Sequence, residues 1–170
     1  MATSTGNQLA ITIRQGINEL KEVCSGLDEA ASSRAPEGRW SPKEILSHLL
    51  GPEEAGHMQI LQAFLDRHNP RIEIEPSNSF FSEKRARMAL SQLLAAVESE
   101  YTRMSQFVES LSQEQLDRKA CIPLLKDTPF GEYPSLATWV GVLGGFEESH
   151  LKSHINHMRE VLEGLDVPAK

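Results

Sequence analysis

Four stretches of this chain place their apolar residues three and four apart, and proline- or glycine-bearing stretches separate them. That spacing stacks side chains on one face of a helix and fits no strand. Leu9, Ile13, Ile17, Leu20, Cys24 and Leu27 predict a first helix over Asn7 to Leu27, followed by a loop from Ser32 to Arg39. The second helix opens on Ser41 as cap, Pro42 at the first helical position and Glu44 three residues past the cap. Its stripe is Ile45, Leu46, Leu49, Leu50, Ile60, Leu61 and Phe64, and Gly51-Pro52 inside it predicts a kink or break. A third helix is expected from Glu83 to Leu111, with a short turn over Ser112 to Leu116. A fourth is expected from Ser135 to Leu165, with Gly164 as its terminal signal and a bend at Gly144-Gly145. Between them, Arg67 to Ser82 and Lys119 to Pro134 read as long connections, and only Arg71 to Glu75 alternates briefly like a strand. The expected fold is all-α, a four-helix bundle with long crossover connections.

At 170 residues the chain fits one domain, 1–170, with a core over about residues 8–165. Its net charge of −7 argues against nucleic acid or an anionic membrane as partner. No apolar run approaches a membrane span of about 20 residues. The N-terminal residues lack the pattern of a secretory signal, so a cytoplasmic protein is expected. Cys24 and Cys121 have no CxxC spacing and read as two buried free thiols.

The histidines carry the chemical information. His150 and His154 lie four apart, on one helical face, with His157 close by. Stepping about 100° per residue puts His150 and His154 on the stripe of Leu136, Val140, Leu143, Met158, Val161 and Leu165, with His157 at its edge. Buried imidazoles need polar partners, and a metal ion would serve; carboxylates, backbone or water would also serve. A third ligand must come from His48 or His57. In an unbroken second helix the phase prefers His57, because His48 sits roughly 130° from the stripe centre. His68, beside Asn69-Pro70, reads as an ordinary exposed residue.

The run from Trp40 through Ser41, Pro42, Lys43, Glu44, Ile45, Leu46 and Ser47 to His48 and Leu49 resembles the second-helix signature of the DinB/YfiT-like superfamily. His150-Leu151-Lys152-Ser153-His154 resembles that family's second signature, and Pro129-Phe130-Gly131-Glu132 is similar to a loop of many members; Glu53, five residues past His48, also fits. The resemblance runs from about Gln8 to Leu165 and implies a four-helix bundle. It also implies one divalent ion near one end of the bundle, held by His48, His150 and His154, against the phase preference for His57. His157 would stand outside the ligand set. Gly51-Pro52 and Gly144-Gly145 depart from the family pattern.

Three neutral imidazoles leave the ion's charge intact and positions open, an arrangement suited to catalysis. Imidazole suits zinc, nickel, iron or manganese alike. The resemblance implies a metal-dependent transferase or hydrolase acting on a small-molecule substrate, with a low-molecular-weight thiol as cosubstrate in some members, and a homodimer. Glu53, Glu54 and Glu147 are candidate supporting carboxylates. Two other readings stand beside this one. The chain fits a non-catalytic binding or stress-associated protein. It also fits a di-iron carboxylate bundle, using Glu54-x-x-His57 and Glu147-x-x-His150 with Glu19 or Glu22 and Glu98 or Glu100.

Overall fold

Leu9, Ala10, Ile13, Ile17, Leu20 and Cys24 all lie inside the protein, on one face of α1 (Ser4–Cys24). Thr3 caps this helix, its hydroxyl accepting the Gly6 N–H at 2.9 Å. The computed structural model describes residues 2–166, and among them every regular element is helical. A four-residue helix, α2 (Glu29–Ser32), precedes the expected loop; Asp28 caps it by accepting the Ala31 N–H at 2.7 Å.

The second helix breaks where glycine and proline adjoin. α3 (Pro42–Leu50) starts on the predicted capping box, with Ser41 Oγ accepting the Glu44 N–H and Glu44 Oε1 accepting the Ser41 N–H, both at 3.2 Å. Gly51 ends it at φ 76°, a region that favours glycine. The chain turns through residues 52–56 and resumes as α4 (His57–Asp66).

The expected third helix is two pieces, α5 (Glu83–Ala86) and α6 (Leu90–Ser110). The second piece has its own N-terminal bond, the Ala89 N–H donating to Gln92 Oε1 at 2.8 Å. The short turn after it is α7 (Gln113–Leu116). The expected fourth helix is also divided. α8 (Leu136–Val140) runs into a π-helical segment (Gly141–Gly145), in which the Phe146 N–H donates to Gly141 O at 2.9 Å. Phe146 is extended, and α9 (His150–Gly164) begins afresh.

α1 packs chiefly along α6; α3 lies against α6 and α9, α4 against α6, and α9 returns along α1. These faces share one buried cluster, including Leu46, Leu93, Tyr101, Met104, Ile155 and Met158. Burying one such large apolar side chain is worth about 1.5–3 kcal/mol against leaving it exposed. The brief alternation at Arg71 to Glu75 makes no strand. It forms one isolated parallel bridge, Arg71 to Cys121, with the Ile72 N–H donating to Cys121 O at 2.8 Å, and this ties the two long connections together. Cys24 and Cys121 are buried free thiols, as expected. Among the described residues, no helix is long and apolar enough to cross a membrane.

Candidate metal centre

His48 sits in the last turn of α3 and is buried, 5% exposed. Its burial comes from the long connection, which lays Asn78 over that side of the helix. Nδ1 of His48 donates to the carbonyl oxygen of Asn78 at 2.6 Å. A carbonyl only accepts, so the proton belongs on Nδ1 and Nε2 keeps its lone pair.

The other two rings come from the start of α9. Ser149 caps it by accepting the Lys152 N–H at 3.1 Å, which makes His150 its first residue and sets His154 one turn on. Ring centroids stand 4.9 Å apart for His48 and His150, and 4.5 Å for His48 and His154 and for His150 and His154. One ring nitrogen from each lies within 4.8 Å of the other two. The Nε2 atoms of His48 and His150 are 2.9 Å apart, close enough to share one proton or to reach one ion at about 2.0–2.1 Å each.

Electrostatics keep two of these rings neutral. Burial, then the neighbouring His48 and His57, push His150 down to about 4. Burial, then His150, His48 and His157, push His154 down to about 3. Neutral imidazole is the form that binds a metal ion, so the donor set fits one. His154 Nδ1 can donate to His157 Nδ1 at 3.3 Å, which would leave His154 Nε2 free. Nδ1 of His150 is buried without a hydrogen-bond partner, so this ring meets the cluster through Nε2.

Trp40, half-buried, covers the cluster, its ring 4.9 Å from His48, 6.3 Å from His154 and 6.0 Å from His157. On another side lies a cavity of about 310 Å³ touched by His48, His57 and His150 and walled by Ile60, Ile72, Trp139 and Leu143.

The structure corrects the phase preference for His57. That ring belongs to α4, beyond the break, and its Nε2–H donates to Leu49 O at 2.7 Å, outside the cluster of three. Burial draws its pKa down too. His68 is exposed, as expected. The candidate supporting glutamates are also elsewhere. Glu53 accepts the Ser82 hydroxyl and lies 3.8 Å from Arg85 Nε, and Glu54 and Glu147 are exposed. The carboxylates a di-iron centre needs are engaged apart: Glu19 with Lys152 and Arg159, Glu98 with Lys21, and Glu100 with the Met58 N–H.

Sequence reasoning missed Asn78 and Arg85. Arg85 is buried, and its Nη1 donates to Ser47 O and Oγ at 3.1 Å, Gly51 O at 2.6 Å and Phe80 O at 3.3 Å. It thereby joins the end of α3 to the connection that carries Asn78. Phe80 is held at φ 54°, a conformation that non-glycine residues seldom adopt. A lone buried arginine in a short helix is the signal that could have found this clamp; a backbone carbonyl leaves no trace in sequence.

The family model for the DinB superfamily matches residues 12–153. The chain belongs to the DinB superfamily. Among solved structures, this DinB-superfamily chain is similar to YfiT from Bacillus subtilis, with a TM-score of 0.75 and 16% identity over 99% of this chain and 91% of that one. YfiT is described as a probable metal-dependent hydrolase with an unusual four-helix bundle topology, and the two chains share that fold. No curated protein matches this DinB-superfamily chain.

Proposed function

We propose that His48, His150 and His154 hold one divalent ion and that the protein is a metal-dependent hydrolase of small molecules. The observation that carries this reading is the convergence of three imidazoles from α3 and α9, with the His48 proton held on Nδ1 by Asn78. The description of YfiT as a probable metal-dependent hydrolase supports it. An ion bound there would polarise a substrate carbonyl and bring the pKa of a water molecule toward neutrality. The chain's own groups do the rest. Asn78 O orients His48, and His157 accepts from His154 Nδ1 so that Nε2 faces the centre. Trp40 shields one side from solvent, and the cavity wall holds the non-reacting part of the substrate against apolar side chains. Zinc, nickel, iron and manganese all suit the donor set. Because α1, α3, α6 and α9 share one buried cluster, we take residues 1–170 as one domain.

The test is hydrolysis of a panel of uncharged esters and amides by metal-loaded protein, with and without a low-molecular-weight thiol. The reading expects turnover without thiol, abolished by chelation and by His48→Ala. Turnover only with thiol would make the protein a transferase. Turnover that survives chelation would remove the ion from the chemistry.

A further inference from the structure

His57 is a half-buried histidine that the three-histidine cluster leaves out. It opens α4 just past the break at Gly51, and two contacts fix its ring. Its Nε2–H donates to Leu49 O, at the end of α3, at 2.7 Å. The Tyr101 ring of α6 stands edge-on to it, with centroids 5.7 Å apart. A carbonyl only accepts, so the proton sits on Nε2 and Nδ1 carries the lone pair. No described residue donates to that lone pair. It is not sealed in the core either: among the described residues, the buried side-chain polar atoms without a partner are Tyr101 Oη, Trp139 Nε1 and His150 Nδ1. The space that His57 borders is the cavity of about 310 Å³, whose walls include Ile60, Ile72, Leu125, Val142 and Leu143.

We propose that Nδ1 of His57 is a specificity-determining acceptor, and that the cavity takes small apolar molecules bearing an N–H or O–H donor. This deepens the hydrolase reading and rests on it only for calling the ligand a substrate. The acceptor stands ready before any ligand arrives, with its ring fixed and its tautomer set. Burial draws the pKa of the ring down, which keeps the lone pair free of a proton at neutral pH. A donor that reaches it exchanges a bond to water for a bond to the protein, whereas a donor taken into bare hydrocarbon loses its water for nothing. His48 and His150 touch the same cavity. They would present a bound ion to an acceptor atom of the ligand, while His57 presents a lone pair to a donor. Size follows from volume. The cavity is roughly twice an apolar cavity of about 150 Å³ that binds benzene, so a molecule of two small fused rings fits.

Titration calorimetry on the full chain with indole and benzofuran tests this. The two bicycles match in shape, and only indole carries an N–H. Zinc-saturated protein is compared with chelator-treated protein, because zinc fills the lone pairs of His48 and His150 that would otherwise compete for the same donor. In both states indole is expected to bind about threefold to tenfold tighter than benzofuran, the worth of one hydrogen bond. His57→Phe keeps a ring in place and should abolish or reverse that preference. Equal binding of the two bicycles to the unaltered protein would overturn the proposal, as would no binding of either. So would an indole preference that disappears on zinc loading or survives His57→Phe. The comparison in the unaltered protein needs no variant to fold. It needs no turnover either, so an indole preference beside absent hydrolysis sinks only the hydrolase reading.

Discussion

The carbonyl oxygen of Asn78 stands 2.6 Å from Nδ1 of His48, thirty residues away in the chain. This contact makes a histidine on the less apolar side of α3 into a buried group with one defined tautomer. Asn78 is itself set by its side chain, whose Oδ1 accepts the Phe80 N–H at 2.8 Å and whose Nδ2 donates to Glu75 at 3.0 Å.

Replacing Asn78 with alanine removes those two bonds and frees the carbonyl. Partners of this kind alter metal affinity by about 10–100-fold, and we expect Asn78→Ala to weaken zinc binding by about tenfold. Because Asn78 is exposed, global stability should move by less than about 0.5 kcal/mol. Competition with a chromophoric chelator and urea unfolding measure the two effects separately.

Arg85→Met keeps much of the apolar stem but leaves the buried Gly51 carbonyl without its donor, while the Ser47 and Phe80 carbonyls keep the N–H groups of Gly51 and Ser82. An orphaned buried acceptor costs about 1–3 kcal/mol, and a loss in that range is expected. Urea unfolding of the metal-free protein reads it. Zinc affinity should fall as well, since Arg85 also holds the connection that carries Asn78.

The stripes of α1, α3, α6 and α9 were legible because each residue's burial depends on its helical neighbours. Leu9, Ile13, Ile17, Leu20 and Cys24 lie inside as their spacing predicts, as do Met158 and Val161, while Leu165 is only half-buried and Leu151, Ile155 and Leu162 complete the inner face of α9. The frame of His57 was not legible. Its phase presumed a continuous helix, and Gly51 at φ 76° rotates α4 away from α3. The division of the last helix was half visible in Gly144-Gly145, but the π turn depends on tertiary contact. A Cβ at Gly145 would lie 2.5 Å from Leu9 Cδ2, and one at Gly141 within 2.2–2.4 Å of the Phe146 ring. The pair His150 and His154 was readable from spacing alone. His48 needed the family resemblance, because what buries it is a connection without periodicity.

Gly141→Ala follows from that contact. The added methyl must displace the Phe146 ring, which is stacked on Phe130 with centroids 6.1 Å apart. Overpacking of this kind costs about 1–3 kcal/mol, and the strain falls between α8 and the first histidine of α9. A lower thermal midpoint with weakened zinc binding is expected.

Acid should destabilise the metal-free protein before its carboxylates titrate. Burial holds the pKa values of His57, His150 and His154 below 6.5, so the unfolded chain binds protons that the folded chain does not. Stability is therefore full above about pH 6.5 and falls as pH drops toward 4.5, by at most about 1.4 kcal/mol per pH unit for each histidine. Chemical unfolding across this window should show the slope, reduced in His154→Gln.

The most direct test of the centre is metal content of untagged protein after equilibration with zinc, nickel, iron or manganese and removal of excess. The account predicts about one ion per chain, lost in His48→Ala and in His150→Ala and kept in His57→Ala. Retention of the ion in His48→Ala, two ions per chain, or none in the unaltered protein would contradict it.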